Sequence, residues 1–320
     1  MKKTMLSVLG VIVLGLSVQI GAAQSGVVNS NQNVLQIALQ HWYSANQTAK
    51  FGVGLNPDAV AFDGANIWVA NAGSNTVTKL RAADGYVVGT YAAGSSPQAL
   101  AFDGASIWVA DGGSSSVTKL SAATGATLGN FPVGSDPYAM AFDGSNVWVV
   151  NSNSNSVTKL LASDGSNLGT FAVGSRPVGI AFDGTNVWVS NLYSGTVTKL
   201  LASTGGALGT FSVGQNPWGM AFDGANIWVV TEGSNQVAKL SPSTGTVLAT
   251  YSAGSAPIQV AYDGANLWVT DWNSGAVTKL QASNGTNLGT FSVGSGPWGM
   301  AFDGAFMWVA SYYGNTVSKF

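Results

Sequence analysis

The sequence contains no cysteine. A disulfide framework is therefore excluded, and in an oxidising compartment the fold must rest on packing alone. Charge is nearly as scarce. Charged residues make up 8% of the chain, against roughly 25% in ordinary soluble domains. The formal net charge is -2, and removal of Lys2 and Lys3 would take it to -4. No basic run exists, which excludes the electrostatic footprint of a nucleic-acid binder. Ser, Thr, Asn and Gly must carry the solvent face, as is common in exported proteins. Histidine occurs once, at His41, and glutamate once, at Glu232. A lone histidine with no partner constellation reads as a surface or packing residue, not as a base.

Long apolar runs are confined to the start. After Met1-Lys2-Lys3, residues 5–18 are apolar, and Gly21-Ala22-Ala23 is a small-residue cleavage pattern. The run is shorter than the roughly 20 residues of a spanning helix. Residues 1–23 are therefore expected to be a secretory signal peptide cut before Gln24. No cysteine follows that could carry a lipid anchor, so a periplasmic or extracellular location without a membrane span is expected. Residues 24–48 are expected to be a polar linker with a short amphipathic helix over 34–43. There Leu35, Ala38, Leu39 and Trp42 fall at helical spacing.

What fills the rest is repetition. Ala61-Phe62-Asp63-Gly64 comes back at Ala101, Ala141, Ala181, Ala221, Ala261 and Ala301, always 40 residues on, with Tyr262 replacing Phe once. A fixed period of this size marks an array architecture. In the copy beginning at Pro137, residues 138–142 read as a strand opened by proline. Asp143-Gly144-Ser145-Asn146 reads as a hairpin turn. Residues 147–150, 156–160 and 167–173 read as three further strands, rich in β-branched and aromatic residues. The expected fold is all-β: a seven-bladed β-propeller over 49–320, with four antiparallel strands per blade. The last copy ends after its third strand, whereas Lys50-Phe51-Gly52-Val53-Gly54 has the fourth-strand pattern, 40 residues before its counterpart at Tyr91. An N-terminal strand over 49–54 should thus complete the seventh blade and close the ring.

The repeated residues read as scaffold. Trp68 and its six counterparts are expected to pack blade against blade. The Asp of each Phe-Asp-Gly turn is expected to satisfy the turn, since two oxygens per loop are too few for calcium. Lys79 and its counterparts, near the same end of the blade as the turn Asp, are expected to form a ring of structural pairs or snorkelling side chains, contributing little each if exposed.

Function is sought in what does not repeat. The fourth-to-first and second-to-third connections share one face of a propeller, here called the top. After the blade-opening prolines come Asp58, Gln98, Tyr138, Val178, Trp218, Ile258 and Trp298. The second-to-third loops carry Tyr193, Glu232, Trp272, Tyr312 and Tyr313, and Asp136 and Arg176 precede their prolines. Tyr138, Trp218 and Trp298 are expected near the channel mouth. Tyr193, Trp272, Tyr312 and Tyr313 are expected further out, in an apolar arc facing a polar sector of Asp58, Gln98, Asp111 and Asp136. The candidate ligand-binding residues are Asp58, Tyr138, Arg176, Tyr193, Trp218, Trp272, Trp298, Tyr312 and Tyr313.

The repeat resembles the YVTN/NHL class of exported β-propellers. Ile67-Trp68-Val69-Ala70-Asn71 stands where that class has its Tyr-Val-Thr-Asn signature, and the segment Val173-Gly174-Ser175-Arg176-Pro177 looks like its Val-Gly-x-x-Pro. The resemblance implies the fold and leaves function open, because the class spans surface proteins, binding modules and enzymes. One enzymatic relative, the streptogramin lyase family, uses a catalytic histidine and a magnesium site inside the propeller. Gluconolactonase-like propellers hold a metal on central Glu, Asn and Asp residues. Residues 49–320 contain no histidine and Glu232 alone of the glutamates, so neither constellation carries over.

The reading is an exported, monomeric, non-catalytic propeller binding a ligand, glycan or protein partner on its top face. It has no catalytic residue, no metal and no cofactor. A metal-dependent lyase or hydrolase and a purely structural cell-surface protein stand as the alternatives.

Overall fold

A computed structural model describes residues 49–320. The signal peptide, the helix over 34–43 and His41 lie outside the described residues. Among those described there are seven four-stranded sheets; six have their strands in sequence order, and the seventh takes its outer strand from the N-terminal end of the described chain. In blade 3 the strands are Pro137–Phe142, Asn146–Asn151, Ser156–Leu161 and Asn167–Ala172, all antiparallel. The first strands of all seven blades line the central channel.

Two-residue periodicity explains why the second strand is buried on both faces. In blade 3, Val147 and Val149 turn toward Trp108 and Val117 of blade 2. Trp148 and Val150 turn the other way, toward Val187 and Val189 of blade 4. The core is accordingly a set of wedges between neighbouring blades. Six of the seven repeat tryptophans are fully buried, and Trp268 is 8% exposed.

Each tryptophan carries a polar edge that must be satisfied when buried. The turn aspartate does this. In every blade the indole Nε1–H donates to the carboxylate five residues before it, at 2.7–2.8 Å. The other oxygen of Asp143 accepts the backbone N–H of Ser145 and of Asn146, which closes the hairpin. Burial would raise the Asp143 carboxyl, but the bonds from Trp148, Asn146 and Ser145 outweigh it and hold it below the usual carboxylate range. The turn was legible from the sequence, but its bond to the tryptophan was not.

The lysines pair with the turn aspartates only in part, Lys119 with Asp103 and Lys279 with Asp263 at 3.9 Å, and do more than the expectation of pairs or snorkelling side chains. Each lies over the tryptophan of its own blade, with Nζ 4.4–5.1 Å from the ring centroid. Lys79, Lys119, Lys159, Lys199 and Lys319 also donate to a backbone carbonyl of the next blade at 2.6–2.7 Å. Lys79, Lys119 and Lys159 are buried. The cross-strand pairing of Trp148 with Lys159 explains the stacking, and the extra reach of a four-carbon stem explains the bridge.

The ring closes as expected. Ala49–Gly52 pairs antiparallel with Thr316–Lys319, with Phe51 opposite Val317. Phe51 stacks on Trp308 at 5.5 Å and lies against the turn glycine Gly85 of blade 1. Tyr91, Phe131, Phe171, Phe211 and Tyr251 lie in the same way against the turn glycines of the blades that follow them. Lys319 completes the junction by donating to the carbonyl of Ala82. Removal of residues 1–54 should therefore strip blade 7 of its outer strand and expose an unpaired edge, giving aggregation or loss of a single cooperative melt. Calorimetry and light scattering check this, and unchanged melting and solubility would contradict it.

Candidate functional site

The site is made where the sheet register breaks. In every first strand the pairing shifts directly after the opening proline. A bulge of this kind re-aims a side chain at the rim of a sheet. The residue after proline also varies strongly from blade to blade, as does the first residue of the second-to-third loop.

Four of these residues, Asp58, Gln98, Tyr138 and Trp298, line one cavity of about 210 Å³ in the channel. An apolar ring of Leu100, Met140, Ile180, Met220, Val260 and Met300 also lines it. Val178 and Ile258, at the same position in blades 4 and 6, are buried and belong to the scaffold.

Around the mouth, six rings of the expected arc touch in series. Tyr138 meets Trp218 at 6.0 Å between centroids, and Trp218 meets Trp298 edge-on at 5.7 Å. Trp298 contacts Trp272 at 4.9 Å, and Trp272 contacts Tyr312 and Tyr313 at 5.8 and 5.2 Å. Tyr138, Trp218, Trp272, Trp298 and Tyr312 are half-buried, while Tyr313 is exposed. Tyr193 stands apart. It is 72% exposed and makes no ring contact with the others.

The polar groups are fewer than expected. Asp58 is 8% exposed and its Oδ1 has no hydrogen-bond partner. Burial pushes its carboxyl up to about 8. Gln98 donates through Nε2 to Asp136 at 3.3 Å, and its Oε1 is also without a partner. Arg176 is tied down beside them, with Nη1 3.6 Å from Asp136 Oδ2 and donating to Asn153 Oδ1. Burial, followed by the charges of Asp58 and Asp136, pushes the Tyr138 phenol up, so it remains a neutral hydroxyl.

Asp111 does not belong to this sector. It is fully buried at the end of its second strand, where it accepts the N–H of Gly94 and the hydroxyl of Thr118. Asp271 does the same with Gly254 and Thr278. Asn71, Asn151 and Asn191 occupy this position in other blades, which is the sequence signal that it is a scaffold position.

Glycine shapes the aromatic side of the mouth. A Cβ at Gly179 would lie 2.3 Å from the carbonyl oxygen of Trp218, and one at Gly299 would lie 2.4 Å from that of Asp58. Blades 1, 2 and 3 carry Ala59, Ala99 and Ala139 at this position. The change from Ala to Gly lets neighbouring inner strands approach where the bulky rings stand. That signal was present in the sequence and not used.

No protein-family model matches the chain, and no curated protein matches it in sequence. Solved structures share its fold. Hydrazine synthase of Kuenenia stuttgartiensis aligns with a TM-score of 0.74 at 19% identity, over 83% of this chain and 95% of that one. A catalytically inactive histidine-to-alanine variant of virginiamycin B lyase from Staphylococcus aureus, with quinupristin, aligns at 0.73 and 18%, over 85% and 99%. A streptogramin B lyase aligns at 0.74 and 17%, over 85% and 96%. The likeness is one of fold: this is a seven-bladed propeller of the kind on which streptogramin lyases are built.

The buried aspartates carry a pH prediction. Burial, only partly offset by the bonds from Thr278 and Gly254, raises the Asp271 carboxyl to about 6. A raised carboxyl favours the folded state fully below its ordinary value of 3.8. That contribution is lost as pH rises through about 6. Asp271→Asn keeps the shape without the charge and should stabilise the protein by about 1–2 kcal/mol at neutral pH, with little gain near pH 4. Melting curves across that range test it. A variant equally or less stable than the parent at neutral pH would contradict it.

Proposed function

We propose that the chain is an exported, monomeric binding module that holds a ligand, glycan or peptide partner at the channel mouth and performs no chemistry on it. One observation carries the reading. Six aromatic rings, five of them half-buried, stand in continuous contact beside a cavity holding two unpartnered polar atoms. An aromatic surface of this extent in a monomer is a recognition surface by default.

The streptogramin-lyase alternative is weaker on the residues themselves. The lyase variant of the comparison is inactive for want of one histidine, and residues 49–320 contain none. Among the described residues, no group of three or more His, Cys, Asp or Glu side chains could hold a metal.

Trp218→Ala combined with Trp298→Ala should lower affinity for the partner by at least about tenfold, since buried tryptophans dominate recognition surfaces. The partner is first sought on a glycan array and by capture from the cell envelope. Both residues are half-buried whereas Trp148 is fully buried, so the melting temperature should move far less than for a scaffold tryptophan such as Trp148. Unchanged binding, or a fall in melting like that of Trp148→Ala, would overturn the assignment.

A further inference from the structure

We infer that the group bound at the channel mouth is an aliphatic ammonium, seated between the Asp58 carboxylate and the faces of Tyr138 and Trp298. The inference rests on the binding-module reading and names the chemistry of its ligand.

The argument starts from the two buried atoms that lack partners. Asp58 Oδ1 and Gln98 Oε1 are both acceptors, and both residues line the same cavity. A buried acceptor without a donor costs free energy comparable to a lost hydrogen bond. The ligand that relieves both must bring N–H or O–H donors. Its charge follows from the surroundings. Among the described residues no cation pairs with Asp58, and Arg176 is held by Asp136 and Asn153. Tyr138 and Trp298 line the same cavity as Asp58, and the faces of Tyr and Trp attract a cation within about 6 Å of the ring centroid. A neutral sugar would satisfy the acceptors with Asp58 left protonated, and its binding would not strengthen as pH rises. A quaternary ammonium would suit the rings but offers no donor to Asp58 or Gln98. A primary ammonium on a short carbon chain meets all three demands, with its methylenes against Leu100, Met140 and Met300.

Binding must then ionise Asp58. The groups that face it are Gln98 from blade 2, Tyr138 from blade 3 and Tyr312 from the loop of blade 7, with the Asp136–Arg176 pair behind Tyr138. Burial, then the charge of Asp58 and the neighbouring Tyr313, push the Tyr312 phenol up, so both tyrosines stay neutral. Asp58, with its carboxyl at about 8, is thus the group that titrates on binding near neutral pH. The ligand ammonium, with an ordinary pKa near ~10.4, remains charged throughout. Affinity should therefore rise with pH up to about 8 and level off above it.

The test is isothermal titration of the processed chain with pentane-1,5-diamine and with Nα-acetyl-lysine methylamide, at about pH 8.5 and about pH 6.5. At least one should bind, and more than tenfold more weakly at the lower pH. The two arms separate a free polyamine from a lysine side chain of a peptide. Tetramethylammonium and pentanol should each bind at least about tenfold more weakly, the first for want of donors and the second for want of charge. Asp58→Asn should reduce amine affinity more than tenfold and abolish the pH dependence. The pH profile of the unmutated chain carries the test even if that variant folds poorly. Absence of amine binding, a flat pH profile, or equal binding of pentanol would overturn the inference. A neutral glycan lost in the Trp218/Trp298 double variant, with no amine bound, would overturn this inference and leave the binding-module reading standing.

Discussion

The bond from a tryptophan indole to the aspartate of its own hairpin turn holds this protein together. It lets the largest side chain in the blade be buried completely without orphaning its one donor. The same carboxylate fixes the turn that places the tryptophan, so turn and core are one unit. The lysine over the ring, reaching the next blade's carbonyl in five of seven blades, extends that unit across the interface. A hydrogen bond to a charged group contributes roughly 1.5–3 kcal/mol, and a cation over a desolvated ring about 2. Repeated around the ring, such contributions stand in for the disulfides the sequence lacks.

A scaffold secured in this way leaves the residue after each proline and the second-to-third loops free to vary. The bulge after each proline turns that residue toward the channel without disturbing the hairpin beyond it. Blades 4 and 6 use the freedom to bury Val178 and Ile258. Blades 1, 2, 3, 5 and 7 use it to present an acid, an amide and three aromatic rings. The asymmetry of the mouth therefore arises from a symmetric framework by substitution after the proline and in the second-to-third loops, which supply Trp272, Tyr312 and Tyr313, supported by the glycines that let the bulky side close up.

Much of this was legible in the sequence, because periodicity reports backbone geometry directly. The blade count, the four strands and the closure through Phe51 all follow from a 40-residue spacing and its phase. The aromatic series from Tyr138 to Tyr313 was legible too, since position within the repeat locates a side chain on the ring. Burial and pairing between blades were not legible. Asp58 and Asp111 look alike as exposed loop acids, yet one is an unpartnered carboxyl at the mouth and the other a satisfied scaffold residue. Tyr193 shares its repeat position with Tyr313, but its neighbouring blades offer no ring to meet it. The reach of Lys79 into the next blade was not legible, because the carbonyl it meets, that of Ala122, lies 43 residues away in sequence.

The central claim is that framework and mouth tryptophans are physically distinct populations. Hydrogen exchange of the indole N–H groups, resolved by nuclear magnetic resonance, tests it most directly. Trp68, Trp108, Trp148, Trp188, Trp228, Trp268 and Trp308 should exchange only with global unfolding, because each indole is bonded to its aspartate. Trp218, Trp272 and Trp298 should exchange far faster and alone should shift when ligand is added. Framework indoles that exchange as freely as those of the mouth, or mouth indoles as protected as the framework, would contradict the account.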